Sequence, residues 1–414
     1  MNLHQFLNTS YTAFHSAANL RTIYEESGFI RLALGEQWNL KRGGKYYVTR
    51  NDSSVIAFKV GDKNVFNIAE SHTDSPCFKI KGNKLIVNDV VRLNTEKYGG
   101  GLLYTYFDRP LKVAGRLVTE TANGVQSSLA VSGYNVVIPS LAIHQNRTVN
   151  DGFAVNPQVD TLPLFAKQFA DLYSTLTKDT VLDADLYVVP ATETFNAGVN
   201  GEFLCSARLD NLTSAYTSAQ ALISCAPSSI AVAACLDNEE IGSGTRQGSP
   251  SFIEQTLQAI CTALNLSGEQ CLAARENGFV LSVDNGHARH PAHTEKSDGT
   301  AYAVMGGGVT IKHHVNYATD GLTSAMLKKL LADSGIKYQD LYNRSDMSCG
   351  TTLGLATSRQ LGMRVCDIGI AQLAMHSACE TCMAEDVEAM QSCLSVFLSA
   401  DICGADGEVT IIKK

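Results

Sequence analysis

The chain has 414 residues, 45% of them hydrophobic and 33 of them glycine, which predicts a globular protein with a large core and two or three domains. Its formal net charge is -8, and basic residues gather only in pairs such as Lys328-Lys329 and Lys413-Lys414, which argues against a nucleic-acid partner because nothing densely cationic offsets phosphate repulsion. No apolar run approaches the ~20 residues of a membrane helix, and the N-terminus lacks a basic segment leading into an apolar stretch, so neither a membrane span nor a secretory signal is expected.

In chain order, the first informative run is NVFNIAE (64 to 70), a strand pattern that ends in SHTDSP. From about 91 to 204 the pattern changes. LKVAGRLVTE (111 to 120), an Asn123-Gly124 turn signal and SSLAVSGYNVVIPSLAIH (127 to 144) predict β-hairpins, and PLFAKQFADLYSTL predicts a helical patch. LDNLTSAYTSAQALIS (209 to 224) then reads as a helix with Asp210 in its first turn. SIAVAACLD (229 to 237) runs into NEE, GFVLSVD (278 to 284) into NGHARHP, and RVCDIGI (364 to 370) into QLAMHS. Short apolar strands alternating with helices predict an α/β fold, a mixed, mostly parallel sheet flanked by helices. The catalytic domain would comprise 1–90 plus 205–414, interrupted by a β-rich insertion over 91–204. The twelve cysteines lack framework spacing, and Cys235 and Cys366 fall in apolar runs, so reduced thiols in a cytoplasm are expected. The lone CxxC at Cys379 and Cys382 carries little weight.

Open α/β sheets bind ligands beyond the carboxyl ends of their strands. Collecting the polar residues that end the apolar runs gives His72, Asp74, Glu239, Glu240, Asp284 and His376, joined by Asp210 at its helix start. Each has an ordinary explanation as a cap, a turn or a hydrogen-bonded histidine. Converging in one crevice, five carboxylates would repel severely without cations, and two histidines favour a transition metal over calcium. Two divalent ions about 3.5 to 4 Å apart with one bridging carboxylate would absorb that charge. One of the adjacent glutamates could then ligate metal while the other serves as a base toward water, a combination that hydrolyses amides.

With these residues assembled, the chain resembles the aspartyl aminopeptidase family of dinuclear metallopeptidases. The matching stretches, in the family's order, are SHTDSP, KYGGGLLYTYFDRPLKVAGR, PSLAIHQNR, SARLDNL, DNEEIGS, DNGHARHP, YAT, CGTTLG and DIGIAQLAMHS. The resemblance implies that His72, Asp210 and Asp284 hold one metal and Asp210, Glu240 and His376 the other. Asp210 would be the bridge, Glu239 the general base and Asp74 the residue orienting His72. Two zinc ions are implied, with manganese or cobalt as alternatives. Lys312 would face the acidic side chain of the substrate's first residue, and Gly350, Thr351 and Thr352 would present backbone groups to substrate. His144, in the insertion, would approach a neighbour's active site, since the insertion mediates dimer contacts and the family forms a tetrahedral dodecamer built from dimers. PAHTEKSDGTAYAVM (291 to 305) departs from the family pattern beside the expected specificity pocket.

The implied activity is removal of N-terminal residues, preferably Asp or Glu, from peptides with a free N-terminus. A broad-specificity aminopeptidase, a dipeptidase or a deacylase on the same metal site remains open, as does a non-catalytic assembly or cargo protein with structural metals.

Overall fold

In the computed structural model, which describes residues 1 to 412, four of the expected strands form the centre of a 13-stranded sheet. Ile230–Leu236, Phe66–His72, Phe279–Val283 and Arg364–Leu373 lie side by side in that order, all parallel. The basic pair Lys413-Lys414 lies outside the described residues. Burial on both sides explains why Ile230–Leu236 reads as an unbroken apolar run. Ile230, Val232, Ala234 and Leu236 face one helix layer, whereas Ala231, Ala233 and Cys235 face the other, so both faces are buried.

Helices Ala13–Glu26, Leu209–Ser224, Gly321–Asp333 and Ala384–Ser399 cover the face of Ala231, Ala233 and Cys235. Ser251–Ala263, Gly268–Glu276 and Leu353–Leu361 cover the face of Ile230, Val232, Ala234 and Leu236. Antiparallel strands flank the parallel centre: Ser54–Val60 and Lys45–Arg50 on one side, Glu380–Met383, Phe203–Ser206 and Phe195–Ala197 on the other. The sheet is thus mixed, with its parallel part at the middle. No helix among the described residues is long and apolar enough to cross a membrane.

A second sheet of six strands has its own core around Phe78, Leu93, Val113, Leu186 and Val188. Its hairpin runs from Leu111–Thr121 into Gly124–Val131, turning at Ala122-Asn123. The sequence pattern puts the edges of this unit at 91 and 204, but the sheet takes its first strand at Cys77–Val87 and its last at Val181–Pro190. Cys77–Val87 buries only alternate residues such as Phe78 and Ile80, so it gives no apolar run to notice.

Two local expectations also fail. PLFAKQFADLYSTL holds no α-helix: Leu164–Ala166 adds an edge strand, and Asp171 caps a 3-10 turn at Tyr173–Thr175 by accepting from the Ser174 N–H at 2.8 Å. Beyond Val131 the second hairpin arm loosens into isolated bridges at Val136, Val137 and Ile138.

The cysteines are not all reduced, since Cys261 and Cys271 form a disulfide between consecutive helices whose ends a short turn brings to a Cα separation of 5.8 Å. Cys379 and Cys382 are both free, and burial pushes both thiols up, away from the thiolate form that reactive pairs need.

Candidate active site

The parallel strands deliver their carboxyl ends to one edge. His72 is the last residue of its strand, Asp284 follows Val283, and Glu239 and Glu240 occupy a 3-10 turn just past Leu236. Asp210 enters at the start of the Leu209–Ser224 helix, behind Arg208 at φ 65°, and His376 stands in a turn at φ 67° beyond Leu373. Both left-handed backbones turn these side chains back toward the strand ends.

The imidazole of His72 lies with Nε2 3.4 Å from Asp210 Oδ1 and 3.6 Å from Asp284 Oδ1. His376 Nε2 lies 3.3 Å from both Asp210 Oδ2 and Glu240 Oε1. Each ring is fixed from behind. His72 Nδ1 is 3.1 Å from the Asp74 carbonyl, and His376 Nδ1 is 3.1 Å from the Gly100 carbonyl. With Nδ1–H donated to those carbonyls, Nε2 faces the carboxylates and offers its lone pair once its proton is displaced.

Asp74 acts as a clamp: its carboxylate accepts from the Glu239 N–H at 3.1 Å, the Glu240 N–H at 3.2 Å and the Tyr98 hydroxyl at 2.7 Å. It thereby ties the His72 strand end to the glutamate turn.

The charge balance is severe. Burial pushes the Glu239 carboxyl up to about 8, opposed by His72 and reinforced by Asp284, Asp74 and Asp210. Burial and then Asp210 hold Glu240 well above the ordinary carboxylate range. Burial lowers the two histidines, but hydrogen bonds to the carboxylates outweigh it: His72 is raised well above its usual value and His376 to about 10. Protons are therefore held in a site whose residues would give them up to a divalent cation.

Two buried oxygens in the cluster, Asp210 Oδ1 and Glu240 Oε1, have no hydrogen-bond partner. Such groups are costly unless a donor or a cation meets them. The donor atoms of His72, Asp210 and Asp284, and those of Asp210, Glu240 and His376, each close to within 4.8 Å. The two trios share Asp210. His72, Glu239 and Glu240 also close within that distance, which puts Glu239 at the edge of the cluster. Nitrogen and oxygen donors in groups of three fit zinc and leave coordination positions open. The cluster forms the floor of a cleft of about 490 Å³.

Comparison with known proteins decides the family. The family model "Aminopeptidase I zinc metalloprotease (M18)" matches residues 6–174 and 166–398. The chain belongs to the M18 family of zinc metalloaminopeptidases. Among its relatives, a probable M18 family aminopeptidase 2 of Clostridium acetobutylicum is 39% identical over 402 residues, covering 91% of this chain and 93% of that protein. Among solved structures, the Ape4 and Nbr1 complex contains a chain 30% identical, at a TM-score of 0.89, over 96% of this chain and 84% of the other. The S. cerevisiae mApe1 dodecamer shares the fold at a TM-score of 0.80 and 22% identity, over 95% of each chain. This M18 chain is thus a metalloaminopeptidase, a hydrolase acting on peptides.

Of the residues expected from sequence, the cleft and its immediate backing bring together His72, Asp74, Asp210, Glu239, Glu240, Asp284 and His376. Lys312, Gly350, Thr351 and Thr352 line the cleft wall. His144 does not join them; it lies exposed in the 139–160 loops of the second sheet's region. Lys312 is 2% exposed and donates to Asp284 Oδ2 at 3.2 Å and the Asn285 carbonyl at 3.3 Å. Burial lowers its pKa but Asp284 outweighs that, so the ammonium persists.

Three contributors escape a reading of strand ends. His287 lines the wall, its pKa lowered by burial and by Lys312. Its place three residues past Asp284 in NGHARHP was the available signal. Tyr317 sets its ring 5.4 Å from the Lys312 ammonium. Tyr98 supports Asp74 from the second sheet's territory, where no strand-end rule would look.

Proposed function

We propose that this M18 enzyme removes N-terminal Asp or Glu from peptides with a free N-terminus, using two divalent ions and Glu239 as general base. The observation that carries the reading is the pair of donor trios sharing Asp210, with Glu239 beside both and open to the cleft. His72, Asp210 and Asp284 would hold one ion and Asp210, Glu240 and His376 the other, zinc by default and manganese or cobalt as substitutes. When bound, the ions supply Lewis acidity toward the peptide carbonyl and lower the pKa of water.

The chain's own residues do the rest. Glu239 takes a proton from the attacking water and delivers it to the leaving amine. Asp74 keeps Glu239 and Glu240 in register through their backbone N–H groups. An ammonium has three donors, and Lys312 uses two on Asp284 and Asn285, which leaves one for a carboxylate in the cleft. Backbone groups of Gly350, Thr351 and Thr352 would bind the substrate chain.

The second sheet would serve as the dimerisation unit and lend its exposed His144 to a neighbour's cleft. A tetrahedral dodecamer built from such dimers and a cytoplasmic location complete the proposal; the similar mApe1 is a dodecamer.

The test is hydrolysis of chromogenic Asp, Glu, Leu and Ala amides by wild type and Glu239→Gln, before and after chelation and metal restoration. Chelator-sensitive release favouring Asp or Glu, absent in the mutant, is the expected outcome. A preference for Leu would discard the acidic specificity. Silence on all four amides with metal bound, accompanied by cleavage of N-acylated substrates, would replace the aminopeptidase with a deacylase.

A further inference from the structure

We infer that Glu380 is a positioning residue that sets the separation of Asp210 and His376 and so governs how firmly the chain holds the ion those two share with Glu240. The inference rests on the two-ion reading above and adds a residue that no strand-end pattern contains. Glu380 is 1% exposed and opens the short strand Glu380–Met383. That strand lies between two others. On one side it pairs with Phe203–Ser206, which leads into Asp210, Ser206 standing opposite Glu380. On the other it pairs with Arg364–Leu373, which leads to His376.

From this place one carboxylate reaches both ligands. Glu380 Oε2 accepts from the Asp210 N–H at 2.9 Å, and Oε1 accepts from the His376 N–H at 2.6 Å. Neither N–H has a ladder partner. His376 and Ala374 both sit at positive φ, in a turn the sheet does not continue through. The two ligands that the other trio does not share, Asp284 and His72, are held differently: Asp284 donates its N–H to the Ile368 carbonyl at 2.8 Å, and His72 lies within its strand, opposite Leu236. Sheet backbone fixes those two, whereas one side chain takes both the Asp210 and the His376 N–H.

A carboxylate is required because it accepts at both oxygens. Glutamine keeps one acceptor and turns an NH2 against the other N–H, leaving a buried donor unpaired. Support of this kind from behind a ligand is worth about 10- to 100-fold in metal affinity.

The experiment titrates metal-free wild type, Glu380→Gln and Glu380→Ala with zinc against a chromophoric chelator, reading stoichiometry and stepwise affinity. Expected in Glu380→Gln is the ion of Glu240 and His376 weakened about 10- to 100-fold, and the ion of His72 and Asp284, which shares only Asp210 with it, weakened clearly less. Turnover should return at excess zinc with KM unchanged, and the melting temperature of the metal-free protein should match wild type. Unchanged affinity for both ions in Glu380→Gln and Glu380→Ala overturns the inference. So does equal weakening of both ions together with a lower melting temperature of the metal-free form, which marks a merely structural role. A wild type that binds a single ion instead overturns the two-ion reading beneath it.

Discussion

Two groups of buried carboxylates in this protein are treated in opposite ways. In the central strand Arg364–Leu373 and under the Gly306–Gly308 loop, Asp367 and Asp386 are as buried as any cleft residue. Asp367 accepts from the Thr352 hydroxyl at 2.6 Å and the Ala318 N–H at 2.8 Å; Asp386 accepts from Gly306 and Gly308 at 2.7 and 2.8 Å. In the cleft, Asp210 Oδ1 and Glu240 Oε1 are buried without a hydrogen-bond partner, facing only the Nε2 atoms of His72 and His376 at 3.4 and 3.3 Å. The fold can satisfy a buried carboxylate with its own N–H and O–H groups, as at Asp367 and Asp386, or leave it protonated, as at Glu70, whose Oε2 has no partner and whose carboxyl burial pushes up to about 8. Where several carboxylate oxygens stay open beside two imidazoles, a cation is the partner that fits.

That contrast can be broken by mutation. The largest effect is expected for Glu239→Gln, which removes the base but leaves both donor trios: turnover should fall by about 10² to 10⁴, with metal content and melting temperature unchanged. Near-normal turnover would move the base elsewhere. Asp367→Asn should do the reverse. It unpairs donors in the structural class and should cost roughly 1 to 3 kcal/mol in denaturant unfolding while metal content stays at the wild-type value. Loss of metal with full stability would mean the two classes are drawn wrongly.

Lys312→Met sharpens the contrast at its border, because Lys312 is bonded to a cleft carboxylate and still lines the substrate wall. The ratio of kcat/KM for Asp over Ala amides should fall by roughly tenfold, the worth of one charged hydrogen bond. An unchanged ratio would place acidic recognition on another residue.

The smallest effect concerns a third way of handling burial, the loss of charge. Burial and then Arg208 lower the pKa of His15 from 6.5 to about 4. As pH falls the unfolded chain takes up this proton first, so His15 favours the native state fully above about pH 6.5. That contribution declines between about 6.5 and 4 and is level below. His15→Gln should flatten this part of the stability curve of the metal-free protein, and an unaltered slope would show that His15 does not titrate there.

Much of this was legible in the sequence because the physics is local to each strand. Ile230–Leu236 is buried on both faces and apolar throughout, and Phe66–His72 is equally buried with an apolar start, so the polar residues that end such runs lie toward the sheet's edge. That alone collects His72, Asp74, Glu239, Glu240 and Asp284. Glu380 and Tyr98 were not legible, since each reaches the site across a strand pairing distant in sequence, Ser206 with Glu380 and Cys77 with Tyr98. The start of the second sheet was hidden for a related reason. Cys77–Val87 shows the period-2 pattern of a half-buried strand, which blends into the polar loop before it. The Cys261–Cys271 disulfide depends on how two helices meet, and their spacing of ten residues carries no such information.

The most direct test of the central claim is the number of divalent ions bound per chain, measured by elemental analysis on purified wild type and Glu239→Gln after removal of loosely held metal. The account predicts two ions per chain in both proteins, because Glu239 stands beside the donor trios without completing either. One ion or none in the wild type, or loss of an ion on changing Glu239 alone, would contradict it.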